Sequence, residues 1–153
     1  MANDIISNRR AFHNYTISER YEAGMVLKGT EVKSIREGRA NIGDAFARIE
    51  NNEVWLYNID IQPYEKASHE QHSAKRVRKL LLHRHEIEKL FHASNIKGNT
   101  IVAIRMYWKE GRAKIELGVG KGKDVRDKRA DIKKRTEDRE ASREMARFNR
   151  RKV

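Results

Sequence analysis

The order of apolar and polar residues along the chain predicts short strands in two groups, separated by a polar connection. Short segments rich in β-branched, aromatic and aliphatic residues are bounded by glycine, asparagine and charged residues, which is typical of strands that end in turns. The predicted strands are residues 12–17, 23–28, 44–50, 53–59, 100–108 and 112–119. The polar connection covers residues 62–79 and contains the chain's single proline.

Two segments have the spacing of helices instead. Residues 30–38 (TEVKSIREG) predict a two-turn helix that ends at Gly38, because glycine is the usual residue just beyond a helix end. Residues 80–93 place Leu82, Ile87, Leu90 and Phe91 on approximately one helical face. Residues 18–24 predict a short turn that begins at Ser18.

Two tight turns complete the pattern. Asn51 and Asn52 tolerate the positive φ that a tight hairpin requires, and residues 109–111 predict a three-residue link with a bulge at Gly111. Five or six short strands with one substantial helix midway predict a mainly β fold, an OB-fold-like small Greek-key barrel with one or two short helices and a basic C-terminal tail. Strand count alone leaves an SH3-like barrel or a small sandwich open.

Charge separates the chain into two parts. Residues 119–153 carry 14 Lys and Arg against 7 Asp and Glu. This tail therefore has a net charge of +7, more than half of the chain's +12. Few apolar side chains lie in this tail, so we expect it to be disordered when free and to become helical when an anionic surface neutralises it. Residues 1–118 hold enough apolar residues for one small core.

The sequence pI near 10.1 favours nucleic acid, an anionic membrane surface or an acidic protein as the partner. No segment approaches the ~20 apolar residues of a membrane span, so we expect no membrane partner. The absence of cysteine excludes disulfides and thiolate chemistry. The first residues lack the apolar core of a signal peptide, and we therefore expect a cytoplasmic protein.

Motifs for catalysis and metal binding are weak. Two histidine pairs, His69 with His72 and His83 with His85, lack a third ligand at a fixed spacing, so solvent-facing histidines are favoured over a zinc site. No serine lies in a nucleophile-elbow pattern. We expect no enzymatic activity, no metal and no cofactor.

The three alternating glycines at residues 118–122 resemble a phosphate loop only superficially, because no βαβ unit surrounds them. We expect them to form a flexible joint between the head, residues 1–118, and the tail.

The basic run Lys75-Arg76-Val77-Arg78-Lys79 precedes an apolar segment and predicts contact with RNA phosphates, although such runs are often only solvated loops. Among the aromatic residues, burial is favoured for Trp55, Tyr107 and Trp108. Tyr15 and Tyr21 remain open as stacking partners for bases.

Several segments in order resemble one family. The segments are AFHNYTISERYEAGMVLKGTEVKSIREGRANIGDAFARI, RVRKLLLHRHEI and GVGKGKDVRDKRADIKKR. Together they resemble the tmRNA-binding proteins of bacterial trans-translation, also called SsrA-binding proteins or small protein B, over about residues 8–135. The resemblance implies an OB-fold barrel that binds the tRNA-like domain of tmRNA. It also implies delivery of aminoacylated tmRNA, carried by elongation factor Tu with GTP, to stalled ribosomes.

The resemblance also implies which residues act. The implied tmRNA face comprises Tyr15, Glu22, Arg36, Asn41, Arg78, Lys79, Leu81 and His83. The residues implied to contact the decoding centre of the ribosome are Gly122, Arg126, Asp127, Lys128 and Arg129. Arg126 departs from the histidine or aromatic residue common in the family, although a guanidinium plane can also stack.

No DNA partner is expected. Two other functions are weighed beside this one, a generic single-strand-binding module and a permanent ribosomal protein. The Asp127-Lys128-Arg129 motif close to the glycine hinge favours a protein that binds the ribosome transiently over a permanent ribosomal protein.

Overall fold

The computed structural model describes residues 3–64, 72–123 and 125–151, although side-chain surroundings are described for only part of the last range. Nine strands and four helices lie in these ranges. The strands are β1 (Asn3–Ser7), β2 (Tyr15–Met25), β3 (Ala40–Asn41), β4 (Phe46–Glu50), β5 (Glu53–Tyr57), β6 (Asp60–Ile61), β7 (Arg78–Leu81), β8 (Asn99–Lys109) and β9 (Arg112–Gly122). The helices are α1 (Arg9–Asn14), α2 (Gly29–Arg36), α3 (Arg84–Ser94) and α4 (Val125–Arg151).

Seven strands form one antiparallel sheet in the order β1-β8-β4-β5-β7-β2-β9. Because β9 also pairs with β8, the six strands from β8 to β9 form a closed barrel, and β1 extends one side of β8. Closure pairs the backbone groups that an open sheet would expose at its edges. The prediction of a mainly β fold is confirmed, and assignment to the OB-fold class stays a prediction.

Both predicted tight turns occur. Asn51 and Asn52 have φ values of 52° and 61°, which confirms the predicted β4–β5 hairpin. The turn between β8 and β9 is one residue shorter than predicted, because Lys109 pairs with Arg112. Its two loop residues both have positive φ, 52° at Glu110 and 74° at Gly111, which is the backbone of a two-residue hairpin.

The first quarter of the chain differs from the prediction. Residues 12–14 belong to helix α1, and the predicted turn over residues 18–24 lies inside the continuous 11-residue strand β2. The polar residues Glu19, Arg20 and Glu22 are exposed, whereas Ala23 is fully buried. Their polarity therefore marks an outward-facing strand surface and not a turn.

The middle of the chain also contains an unpredicted strand. Residues 78–81 form β7 between β5 and β2, and helix α3 begins only at Arg84 instead of residue 80. Leu80 is 2% exposed whereas Leu81 is 53% exposed, which is the alternation of a strand. The predicted helix over residues 30–38 is confirmed as α2, followed by Gly38 at φ 74°.

The core fills the barrel interior and continues beneath α2 and α3. Its fully buried members include Ala23, Ile35, Leu56, Ile61, Leu90, Met106, Ile115 and Leu117. Burial of aliphatic side chains of this kind is the main favourable term in folding.

The first compact unit ends at Gly122, and residues 123–153 form the second. Strand β9 thus continues beyond residue 118, where we expected the head to end. Gly118 and Gly120 lie inside β9 and are buried, so the prediction of a flexible joint is wrong for these two positions. Among the described residues, no helix is long and apolar enough to cross a membrane.

Candidate nucleic-acid interface

A groove of about 630 Å³ opens on the outside of the barrel, where the second half of β2 meets β7 and the β8–β9 hairpin. We call this surface the groove. Its lining residues are Glu22, Gly24, Met25, Leu27, Val32, Leu81, Leu82, His83, Glu86, Trp108, Gly111, Arg112, Ala113 and Lys114. Three of the residues predicted for the tmRNA face, Glu22, Leu81 and His83, therefore lie together.

The Glu22 carboxylate is held in place from one side. The Tyr107 hydroxyl donates a hydrogen bond to it, and the Lys109 Nζ lies 3.3 Å from both of its oxygens. The hydrogen bond from Tyr107, with support from Lys109, lowers the pKa of Glu22 below its usual value. Its side chain remains 38% exposed. The groove thus presents a fixed carboxylate with free acceptor positions.

Leu81 provides an exposed apolar surface beside that carboxylate. It pairs with Gly24 in the β2–β7 ladder, and a Cβ at Gly24 would lie 3.4 Å from the Leu81 Cβ. Because glycine carries no side chain to cover it, Leu81 remains 53% exposed. The Leu81 side chain therefore faces outward and is not part of the barrel core.

His83 forms the third predicted contact in the groove. It precedes α3 as the N-cap residue, and its backbone N–H donates to the Glu86 carboxylate at 3.2 Å. Its ring stacks on that of His85 at 5.7 Å between centroids. The helix start therefore fixes the backbone from which this ring extends.

Positive charge borders the groove. The Arg36 guanidinium lies 5.6 Å above the ring of Trp108, which lines the groove. Lys79 lies on the same outward face of β7 as Leu81, and its Nζ is 3.0 Å from a Glu53 oxygen. An exposed ion pair of this kind is weak, so Lys79 can exchange it for a phosphate.

Arg78 does not take part in this surface. Its side chain is fully buried and forms an ion pair with Glu31. Its guanidinium also donates to backbone carbonyls, those of Ile59 at 3.1 Å, Ala74 at 2.9 Å, Arg76 at 2.6 Å and Ser73 at 3.2 Å. The prediction that Arg78 contacts RNA is contradicted, because its donors are all directed into the protein.

Glu31 is the acidic partner of this buried cluster. Burial alone would raise its pKa, but hydrogen bonds from Arg76, the Lys28 backbone N–H and Arg78 outweigh it and lower the pKa of Glu31. The cluster connects α2 to β7. It thereby fixes the segment that precedes Lys79 and Leu81.

Two predicted residues are not among those that line the groove. Tyr15 begins β2 and pairs with Gly122, seven residues along the strand from Glu22, which corresponds to roughly 23 Å. Asn41 lies in β3, and its Oδ1 accepts a hydrogen bond from the Gly43 backbone N–H at 2.7 Å. The structure therefore does not bring all eight predicted residues to one face.

The histidines do not all face solvent as predicted. His72 is 3% exposed, with its Nδ1 2.9 Å from the Thr30 hydroxyl and its Nε2 2.9 Å from the Ile61 carbonyl oxygen. His72 is thus a structural residue. His69 lies outside the described residues. Within the described ranges, no group of three His, Asp or Glu side chains is arranged to hold a metal ion.

The residues predicted for the ribosome contact lie at or after the end of the barrel. Gly122 is the last residue of β9, and Arg129 is exposed on α4. The backbone of Arg126, Asp127 and Lys128 lies in α4, but their side chains are outside the described part.

Sequence reasoning missed several groove residues, chiefly Trp108, Met25 and Lys114. Trp108 was expected to be buried, but it is half-buried and forms part of the groove wall. An alternating pattern through residues 112–117 places Lys114 outward between buried Ala113 and Ile115, and this signal was present in the sequence.

Comparison with known proteins gives a consistent picture. A family model described as "SmpB protein" matches residues 5–147. An SsrA-binding protein of Geobacter sulfurreducens is 54% identical over 136 residues, which cover 89% of each chain. An SsrA-binding protein of Bacillus cereus is 53% identical over 143 residues, covering 94% of this chain and 90% of the relative.

A solved structure is similar as well. A chain from "tmRNA-SmpB: a journey to the center of the bacterial ribosome" superimposes with a TM-score of 0.67 at 48% sequence identity. The match covers 78% of this chain and 85% of that chain.

Proposed function

Because the chain belongs to the SmpB protein family, we propose that it is an RNA-binding adaptor of trans-translation, the bacterial rescue of stalled ribosomes. In this proposal it binds the tRNA-like domain of tmRNA and delivers it to stalled ribosomes, where incomplete proteins receive a tag. The observation that carries the proposal is the groove, where a fixed carboxylate lies beside an exposed leucine.

The groove has the chemistry for a folded RNA loop. The Glu22 carboxylate accepts hydrogen bonds from base N–H groups, which phosphate contacts cannot replace. Leu81 offers an apolar surface to an unstacked base. Arg36 and Lys79 supply positive charge to the backbone around it. Such a site selects the shape of a loop and not merely its charge.

We assign the tail to the ribosome. The 27-residue helix α4 follows the barrel, and its described side chains are exposed. A basic helix of this kind fits an RNA-lined channel, and we propose that it enters the decoding centre and the empty mRNA channel, with contacts from Gly122, Arg126, Asp127, Lys128 and Arg129. In the same proposal the barrel belongs to the OB-fold class. Elongation factor Tu with GTP carries the aminoacylated tmRNA that this chain binds.

The proposal assigns no catalytic residue, metal or cofactor to the chain. It places the protein in the cytoplasm, where ribosomes and tmRNA are found.

Substitution of the anchored carboxylate tests the groove. Glu22→Ala should weaken binding to the purified tRNA-like domain roughly tenfold, because hydrogen bonds to a charged group contribute about 1.5–3 kcal/mol. The matched control is Glu19→Ala, which removes the same charge from the same strand outside the groove and should leave the affinity within about twofold. Equal affinities of the two variants, measured by titration at one salt concentration, would reject the groove as the binding face.

Truncation tests the division between the two units. A chain that ends at Lys121 should bind the tRNA-like domain nearly as tightly as the full chain, yet fail to support tagging on stalled ribosomes in a reconstituted system. Tagging by the truncated chain would show that the tail is dispensable and that its proposed role is wrong.

A further inference from the structure

A second, smaller pocket lies at the other end of β2 from the groove. Its volume is about 260 Å³, below the roughly 300–1,000 Å³ of sites for drug-sized ligands, so it suits a single planar ring system. Two aromatic side chains, Tyr15 and Phe46, line it together with Arg10, Asn14 and Asp44. We call it the β2-start pocket.

Neighbouring residues surround both aromatic side chains of the pocket. Gly120 lies beneath Tyr15, and a Cβ there would approach the Tyr15 Cβ to 2.8 Å, so the missing side chain creates the space for this tyrosine. Phe46 stacks on Tyr57 at 5.5 Å between centroids, and the Arg48 guanidinium lies 5.3 Å above the Phe46 ring. The Phe46 ring is therefore held by its neighbours before any ligand binds.

Asp44, the acidic residue of the pocket, lies in a segment whose backbone is held by hydrogen bonds. The Asn8 side chain, 6% exposed, donates to the Ile42 carbonyl at 3.2 Å and to the Ala103 carbonyl at 2.8 Å. The Ala45 backbone N–H also donates to the Ile42 carbonyl at 3.1 Å. These contacts hold the backbone on both sides of Asp44.

Within the described ranges, no side-chain hydrogen bond or ion pair engages either Asp44 or Arg10. The pocket therefore offers a carboxylate acceptor and a guanidinium donor that the protein itself does not use. A carboxylate accepts two parallel hydrogen bonds, and guanine is the common base whose Watson–Crick edge presents two adjacent donors, N1–H and the N2 amine. Arginine completes the match by donating to O6 or N7.

We propose that the β2-start pocket binds one unpaired guanine of an RNA strand. Stacking on the Tyr15 ring supplies affinity, and Asp44 determines which base is preferred. Tyr15 thereby belongs to a second RNA surface, separate from the groove. The inference rests on the proposed function only for the class of ligand, RNA.

The test uses the full chain and three fluorescein-labelled hexamers of uridine, each with one central guanosine, inosine or adenosine. Inosine lacks only the N2 amine and so removes one of the two donors that Asp44 would accept. Elevated salt in the titration weakens the base-independent phosphate contacts of the tail. We expect the guanosine hexamer to bind roughly tenfold more tightly than the other two.

Three variants test which site produces the preference for guanosine. Asp44→Asn should abolish the preference for guanosine, whereas Glu37→Gln, which makes the same change of charge on an exposed side chain outside the pocket, should keep it. Leu81→Ala, in the groove, should keep it as well. Thermal melts of all variants identify any loss of folding.

Absence of a guanosine preference in the wild-type chain overturns the proposal, as does its persistence in Asp44→Asn. Loss of the preference in Leu81→Ala but not in Asp44→Asn would assign it to the groove. A chain that prefers guanosine but fails to bind the tRNA-like domain would refute the proposed function and leave the pocket standing.

Discussion

Arg78 is the residue at which sequence and structure differ most, and its role can be measured. The sequence places it in a basic run, as a contact for RNA, whereas its guanidinium is fully buried against Glu31 and four backbone carbonyls. Arg78→Met removes the charge and all of these donors but keeps a long apolar side chain. It leaves Glu31 buried with only Arg76 and the Lys28 backbone N–H as partners.

The expected loss of stability follows from the burial of the Arg78–Glu31 ion pair. Removal of one partner from a buried ion pair costs about 3–5 kcal/mol, because the remaining charge and carbonyls lose their partners away from water. Small domains unfold at a cost of about 5–15 kcal/mol in total, so this is a large fraction. At about 4 °C per kcal/mol for a domain of this size, Tm should fall by about 10–20 °C.

The adjacent residue provides the control. Lys79→Met makes the same kind of substitution on the outward face of β7, where Lys79 and its partner Glu53 are 38% and 44% exposed, and it should cost less than about 1 kcal/mol. Urea unfolding followed by circular dichroism gives both values. A loss below about 1 kcal/mol for Arg78→Met would refute the assignment of a structural anchor.

A conservative variant separates folding from binding. Arg78→Lys keeps a charge for Glu31, and at low temperature, where it remains folded, it should bind the tRNA-like domain as tightly as the wild-type chain does. If folded Arg78→Lys binds more weakly than the wild-type chain, Arg78 contacts RNA after all.

Three further predictions concern stability and folding. Since the folded pKa of Glu31 is lowered, its cluster stabilises the fold above the unfolded pKa of about 4.3, and this stability is lost as pH falls through the folded pKa. Urea titrations from pH 7 to pH 3 should show that decline, and Glu31→Gln should flatten it; an unchanged slope in the variant contradicts the assignment. Gly120→Ala should destabilise the barrel by about 1–3 kcal/mol, because its Cβ would meet the Tyr15 Cβ, whereas Gly122→Ala has open space and should be nearly neutral in the same unfolding assay. A peptide of residues 123–153 should show little helix by circular dichroism in dilute buffer and more on addition of RNA, because an isolated charged helix is marginal; full helicity without RNA contradicts this.

The sequence predicted the strands β4, β5, β8 and β9 because the signals for these strands and their turns are local. The paired asparagines gave the β4–β5 hairpin, and Gly38 gave the end of α2. Strand β7 was missed because Arg78 and Lys79 look like a solvated run. Only the position of Glu31 on α2, 47 residues earlier, makes Arg78 a buried residue.

The candidate site was predicted in part for a similar reason. Glu22, Leu81 and His83 meet in the groove because β2 and β7 are neighbours, which spacing alone does not reveal. The two ends of β2 were not distinguished, since residues 18–24 were interpreted as a turn. A turn would allow Tyr15 and Glu22 to approach each other, whereas a continuous strand keeps them apart.

The central claim is that the groove reads a folded RNA through its exposed leucine. Leu81→Ala should weaken binding to the tRNA-like domain roughly 5- to 30-fold, about 1–2 kcal/mol of lost apolar contact. The control is Ile96→Ala, which truncates an equally apolar side chain, 61% exposed, outside the groove. Titration of both variants against the tRNA-like domain and against an unstructured RNA of equal length should show a loss for Leu81→Ala with the tRNA-like domain alone. Equal affinities of the two variants for that domain would contradict the account.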